Sequence, residues 1–229
     1  MSIFRVSFLY ALLCFVVGAV IAREQKRPTD MIFSYVEHPT MINYLLPLIK
    51  ASYGKMGIET HFVPQPSNRN LRLVEEAKID GDVGYMRIVL GGYNNLITVE
   101  PPVVLGIFTL LCQPGLACNA DVLADEKLTI VTTSATQTGL LKGYKGVVNA
   151  GFYEVNNISV IPDFVSVKRF KYAIYPTSEK DLWRLNTANL NYVKLFDSNL
   201  YHVLHKKYQF MADEVEIALT QTIQEMKIK

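Results

Sequence analysis

Residues 67 to 87 read SNRNLRLVEEAKIDGDVGYMR, and their pattern decides the fold class. Ser67 is placed to cap a helix by accepting a hydrogen bond from a free backbone N–H in its first turn. Leu71, Val74 and then Ala77 or Lys78 recur at helical spacing, with Glu75 and Glu76 turned to water. Asp80-Gly81 supplies a turn, because glycine tolerates positive φ and aspartate bonds its own local backbone. Val83 to Val89 then resumes as a strand with Arg87 near its end. A helix, a turn and a strand make one crossover of an α/β sheet. Ligands of open α/β sheets bind beyond the carboxyl ends of such strands.

Upstream, Met31 to Val36 is an apolar and aromatic run that suits a buried first strand, ended by Glu37-His38-Pro39. Thr40 caps a helix expected through Tyr53, with Ile42, Leu45, Leu46 and Ile49 inward and a kink at Pro47. Ile58 to Val63 alternates at period two and reads as a second strand. The order β-α-β-α-β implies a largely parallel sheet with right-handed crossovers.

Downstream, Leu96 to Val99 is a short strand, and Pro101-Pro102 marks a crossing into a second lobe. Val103 to Cys112, Leu128 to Thr132, Ile158 to Ile161, Tyr172 to Tyr175 and Tyr192 to Phe196 are further strands. Ser178-x-x-Asp181 is a capping-box pattern before Leu182, Trp183 and Leu185. Ser198 to Lys207 and Ala212 to Lys227 read as two closing helices. The expected architecture is α/β with two lobes, the second inserted in the first: residues 23–104 plus 197–229, and residues 105–196. A cleft between such lobes suits ligand binding.

The chain has 229 residues, 50% of them hydrophobic and 19% charged, with a net charge of +2. That is enough for one large domain or two small lobes. There is no basic run with interleaved aromatics, which argues against a nucleic-acid partner, and no internal repeat is evident. Arg5 precedes an apolar run from Val6 to Ile21, with Val20 and Ala22 at the small-residue positions of a signal-peptidase site. The expected reading is a cleaved signal over residues 1–22. The alternative is a retained membrane anchor, favoured by Arg23, Lys26 and Arg27 beyond the run. Cys14 leaves with the signal. Cys112 and Cys118 then suggest a disulfide closing the loop QPGLA, which stabilises by about 2 kcal/mol on the chain-entropy estimate. A redox pair and a metal pair are the alternatives.

His38, His61, His202 and His205 show no metal-ligand spacing, and His202 and His205 fall on one expected helix. No G-x-G-x-x-G, G-K-[ST] or G-x-S-x-G occurs, so no cofactor is implied. Three features carry chemistry. Arg87 can fork onto a carboxylate, or form an ion pair between lobes. Thr132, Thr133 and Ser134 open TTSATQT, which either leaves hydroxyls and N–H groups for an anion at a helix start or is a plain N-cap. Tyr35, Glu37, Tyr85 and Tyr175 lie near strand ends. Their rings can sandwich a ligand and Glu37 can hold an ammonium, or they pack in the core and rim.

With FSYVEHPTM, LRLVEEAKIDGDVGYMR, NLITVEPPV and the closing LYHVLHKKYQFMADEVEIALTQTIQEMK in view, the chain resembles the type II periplasmic solute-binding proteins, in particular their family 3-like group. The resemblance covers residues 31–104 and 197–226. It implies an exported, monomeric, non-enzymatic protein of the periplasm. Such a protein closes on a small polar, carboxylate-bearing molecule and serves a separate membrane transporter or sensor. Amino-acid binders of this kind use a Thr- or Gly-rich helix start for the carboxylate, for which Thr132 to Thr138 stands in. They also use an Asp late in the second lobe for the ammonium, and YAIYPTSE has none at that point. Two other classes stay open: the same fold with a degenerate cleft acting as an interaction protein, and an enzyme akin to cyclohexadienyl dehydratase-like relatives, with Glu37 as its acid or base.

Overall fold

The computed structural model describes residues 26–67 and 69–226. The expected signal over residues 1–22 lies outside them. The first unit runs β1 (Asp30–Tyr35), α1 (Leu46–Lys55), β2 (Glu59–Pro64), α2 (Asn70–Glu75) and β3 (Gly81–Met86). The second repeats the plan with β5 (Thr129–Thr132), α3 (Ser134–Gly143), β6 (Gly151–Glu154), α4 (Ile161–Ser166) and β7 (Tyr172–Ser178). Two long strands join them, β4 (Leu96–Cys112) and β8 (Asn191–His205), and the chain closes with α5 (Leu182–Thr187) before β8 and α6 (Ala212–Met226) after it.

All eight strands form one sheet in the order β2-β1-β3-β8-β4-β7-β5-β6. β1 is parallel to β2 and β3, and β5 is parallel to β6 and β7. β8 runs antiparallel to β3, and β4 antiparallel to β7. Each lobe is therefore three parallel strands closed by one antiparallel strand, and β4 paired with β8 forms the seam. This is the two-lobed periplasmic-binding-protein architecture.

Helices cover both faces of each lobe. In the first, Met31, Phe33, Leu48, Ile49, Tyr53, Leu204, Val215 and Leu219 pack beneath α1 and α6, while Leu71, Tyr85, Val89 and Val203 pack on the α2 side. In the second, Phe108, Leu110, Ile130, Leu140 and Ile174 pack under α3, and Leu111, Val131, Ile161, Val165, Ala173 and Leu185 under α4 and α5. α6 follows its expected face, with Val215, Leu219 and Thr222 buried. Cys112 and Cys118 are joined in a disulfide, 5.6 Å between Cα atoms.

Several elements differ from expectation. Residues 198–207 are not a helix: 198–205 complete β8, and a short 3-10 segment, Lys206–Met211, follows. Leu200, Tyr201, His202, Val203 and Leu204 are all buried. A central strand covered on both faces is a continuous apolar run, which periodicity cannot separate from a buried helix. His202 and His205 consequently lie on opposite faces of the strand, not on one side of a helix. Pro101-Pro102 does not break the chain into two strands. It sits inside β4, where pairing with β8 skips from Val99 to Val104, and a prolyl nitrogen with no N–H is tolerated at such an interruption.

The helix before β2 opens with a π-helical turn, Met41–Leu45, and becomes α-helical at Leu46 with Pro47 in the first α-helical turn. Met41, Leu45, Leu48 and Ile49 point inward, while Ile42 is exposed. α2 begins at Asn70, too late for Ser67 to cap it. Glu75 does not face water alone, for it accepts the Asn94 and Asn95 N–H groups at 3.1 and 2.9 Å. β3 ends at Met86, and Arg87–Val89 is a 3-10 turn. Ile158–Val160 is likewise a 3-10 turn leading into α4 rather than a strand.

Candidate ligand-binding cleft

The carboxyl ends of the parallel strands of both lobes point to one place. Val36, His38 and Thr40 follow β1, and Gly84, Tyr85 and Met86 end β3. Across from them Thr133, Ala135 and Thr136 follow β5, and Pro176 and Thr177 end β7. Together with Met41, Ser67, Ile158 and the seam residues Val104 and Leu200, they line a cleft that opens to solvent. A second recess adjoins it through Val36, where β2 and β6 end, lined by Glu37, Pro64, Gln65, Pro66, Asn156 and Asn157.

α3 presents its N-terminus to the cleft. Thr133 is its N-cap: the hydroxyl accepts the Thr136 N–H at 3.3 Å and donates to the Thr136 hydroxyl at 2.9 Å. The remaining first-turn N–H groups have no acceptor within the helix, and the helix dipole makes that end favourable for negative charge. Gly139 lets α3 pack closely, since a Cβ there would meet the Phe108 ring at 2.7 Å.

His38 is buried beside the Tyr175 ring, 5.1 Å between centroids. Its Nδ1 accepts the Thr40 N–H at 3.1 Å, which puts the ring proton on Nε2. Burial pushes His38 down to about 4, against the pull of the Asp181 carboxylate. The Pro176 carbonyl also favours its proton without making a hydrogen bond of good geometry. His38 Nε2 and Thr177 Oγ1 are buried polar atoms with no hydrogen-bond partner, and both residues line the cleft.

Behind the wall, Asp181 ties the lobes together. Its Oδ2 accepts the Thr40 hydroxyl at 2.5 Å and the Ser178 hydroxyl at 3.1 Å, and its Oδ1 accepts Arg184 Nε at 3.0 Å. The Ser178–Asp181 pair thus bonds side chain to side chain and crosses to Thr40, rather than forming a capping box. On the first-lobe side, Asp82 is fully buried under Gly84. It accepts from Ser34 at 2.7 Å, Asn70 at 2.8 Å and the Gly84 N–H at 3.0 Å. Burial raises it to about 7 against those three donors.

Of the residues expected to form the site, Tyr85 and Thr133 stand in the cleft wall. Tyr85 is buried against Leu71, Val89 and Val203, and its hydroxyl is already committed as a donor to the Ser67 carbonyl at 2.8 Å. Glu37 is exposed in the adjoining recess. Tyr175 backs His38 from the second-lobe core. Thr132 is buried and donates to the Ile174 carbonyl at 3.4 Å. Ser134 is the half-buried first residue of α3, and Tyr35 packs against the first-lobe core. Arg87 lies outside the lining: its guanidinium pairs with Glu100, donates to Thr98 at 3.2 Å and sits 3.7 Å over the Tyr201 ring. That is an exposed pair within the first lobe, at the foot of β4. His38, Thr40, Thr177 and Asp181 are the additions that sequence reasoning missed, while Thr136 falls in the Thr132 to Thr138 cluster expected at the helix start. The signal that points to them is position, at the end of a parallel strand or within five residues past it.

Among the described residues no group of three His, Cys, Asp or Glu side chains is placed to hold a metal ion, and no helix is long and apolar enough to cross a membrane.

No protein-family profile and no curated sequence matches the chain. Solved structures do match in fold. The GluR0 ligand-binding core from Nostoc punctiforme, in complex with L-glutamate, superposes with a TM-score of 0.68 at 12% identity, covering 86% of this chain and 94% of that one. Truncated arginine-bound ArgBP from T. maritima gives 0.68 at 10% identity, covering 84% and 96%. The ancestral amino-acid-binding protein AncCDT-1, a precursor of cyclohexadienyl dehydratase, gives 0.63 at 13% identity, covering 86% and 90%. The chain has the type II periplasmic-binding-protein fold of these structures.

Proposed function

We propose that this protein is an exported, non-enzymatic solute receptor. Its two lobes, residues 23–104 with 197–229 and residues 105–196, close on a small carboxylate-bearing molecule and present it to a separate membrane transporter or sensor. One observation carries the reading: the parallel-strand ends of both lobes converge on one cleft whose wall holds a helix N-terminus and two buried polar atoms without partners, His38 Nε2 and Thr177 Oγ1. An unpaired buried polar atom costs about 1–3 kcal/mol, and a ligand that pairs it recovers that cost only when bound. The neighbours in complex with glutamate and arginine support a ligand of amino-acid size. The carboxylate would lie at the start of α3, with the free first-turn N–H groups, Thr177 and His38 as donors, and the apolar body against Val36, Met86, Val104 and Leu200.

The test is a thermal-shift screen of the purified secreted chain against amino acids, other carboxylic acids and small polar metabolites. Ligand binding to the folded state raises the melting temperature, by about 2.7 kcal/mol of stability at one hundred times the dissociation constant. A second reading, an interaction protein with a closed and degenerate cleft, is favoured by the direct Thr40–Asp181 bridge between lobes. Cooperative melting with no shift from any compound selects it.

A further inference from the structure

The charge pattern around the cleft separates one class of carboxylic acid from another. None of the described residues lining it is Asp, Glu, Lys or Arg. The two buried acids nearest to it are already filled. Asp181 is bonded by Thr40, Ser178 and Arg184, and Thr40 stands between it and the cleft. Asp82 is bonded by Ser34, Asn70 and the Gly84 N–H. The groups left over are donors. His38 carries its proton on Nε2, because Nδ1 accepts from Thr40. The Thr177 hydroxyl is unpaired, and the first turn of α3 offers N–H groups. Hydroxyls aside, no described side chain of the lining offers an ammonium an acceptor, and a buried charge without a partner is strongly disfavoured. A carboxylate, in contrast, is an acceptor only and matches this set.

We infer that the cleft selects monocarboxylates with an apolar body and no ammonium group, such as 2-oxo, 2-hydroxy or plain carboxylic acids, over the α-amino acids of the same side chain. The inference rests on the proposed binding function and narrows its ligand class. Glu37 does not restore an ammonium site within the cleft, since it is exposed in the adjoining recess beside Gln65, Asn156 and Asn157.

The experiment is calorimetry on the purified secreted protein with matched pairs: 4-methyl-2-oxopentanoate against leucine, phenylpyruvate against phenylalanine, and 3-methyl-2-oxobutanoate against valine. The oxo acid of at least one pair is expected to bind about tenfold or more tighter than its amino acid, a difference of about 1.4 kcal/mol. Thr177→Val is expected to weaken that binding by a similar factor, and Thr177→Ser to retain it, which separates a lost hydroxyl from a disturbed fold. Equal or tighter binding of the amino acid overturns the inference and leaves the receptor reading standing. So does binding that Glu37→Gln abolishes. If neither member of any pair binds, and the wider screen is also silent, the receptor reading itself falls and takes the inference with it.

Discussion

His38 is kept neutral by burial, and so is His202, whose Nε2 meets the Tyr53 hydroxyl at 2.9 Å in the first-lobe core. Both are lowered from 6.5 to about 4, while Asp82 is raised from 3.8 to about 7. Between pH 4 and 6.5 the unfolded chain carries two histidine protons that the folded chain does not. The folded chain keeps one on Asp82 that the unfolded chain has lost. The unfolded chain thus binds one proton more than the folded chain, so stability rises with pH by about 1.4 kcal/mol per unit, or about 3 kcal/mol over this window. From pH 6.5 to about 7 only Asp82 acts, with the opposite sign. The expected melting temperature therefore peaks near pH 6.5, and a series of melts from pH 4.5 to 8 checks it. His38→Gln would flatten the acid limb. Residue types alone did not reveal these roles. An isolated histidine in a sequence is more often packing than function, and whether a hydroxyl is left unpaired depends on contacts between lobes 138 and 141 residues apart, such as Thr40 with Ser178 and Asp181.

The crossover from α2 to β3 was legible because its signals are local, two apolar positions at helical spacing and then a strand, although Gly81 opens β3 without a positive φ and Ala77 takes the left-handed place in the turn. β8 was not, because burial on both faces erases the alternation that marks a strand and leaves an apolar run beside Lys206 and Lys207 that resembles a helix with a basic end. β4 was split in the reading because Pro-Pro is usually a break, and only the skipped pairing with β8 shows how it is accommodated. Close strand packing fixes Gly81: a Cβ there would collide with the Val203 carbonyl oxygen, and backbone cannot move aside cheaply. Gly81→Ala is expected to lower the urea midpoint at unchanged slope, by about 1–3 kcal/mol, as overpacking does. At the start of α3, Thr133→Ala removes the cap of Thr136 N–H and is expected to cost about 1 kcal/mol in the same assay.

At the scale of the molecule, the two lobes share one plan, β-α-β-α-β closed by an antiparallel strand, although no sequence repeat betrays it. Topology is set by where apolar faces fall, and that constraint is met by many sequences. The lobes meet at the cleft through the Thr40 bridge to Asp181 and through Lys180, whose Nζ lies 5.3 Å over the Tyr44 ring. Thr40→Val removes the only bond of Asp181 that comes from the first lobe among the described residues. It is expected to shift the lobes toward a more open average, read as a larger radius of gyration by small-angle scattering, with a cooperative melt retained. The central claim, that a small molecule is held between the lobes by cleft donors, is tested most directly by comparing two variants in one thermal-shift series with the tightest carboxylate found. At one hundred times the wild-type dissociation constant, the shift is expected to survive in full in Arg87→Ala, where only an exposed ion pair is lost, and to fall to about half in Thr177→Val. A shift lost in Arg87→Ala and kept in full in Thr177→Val would contradict that claim.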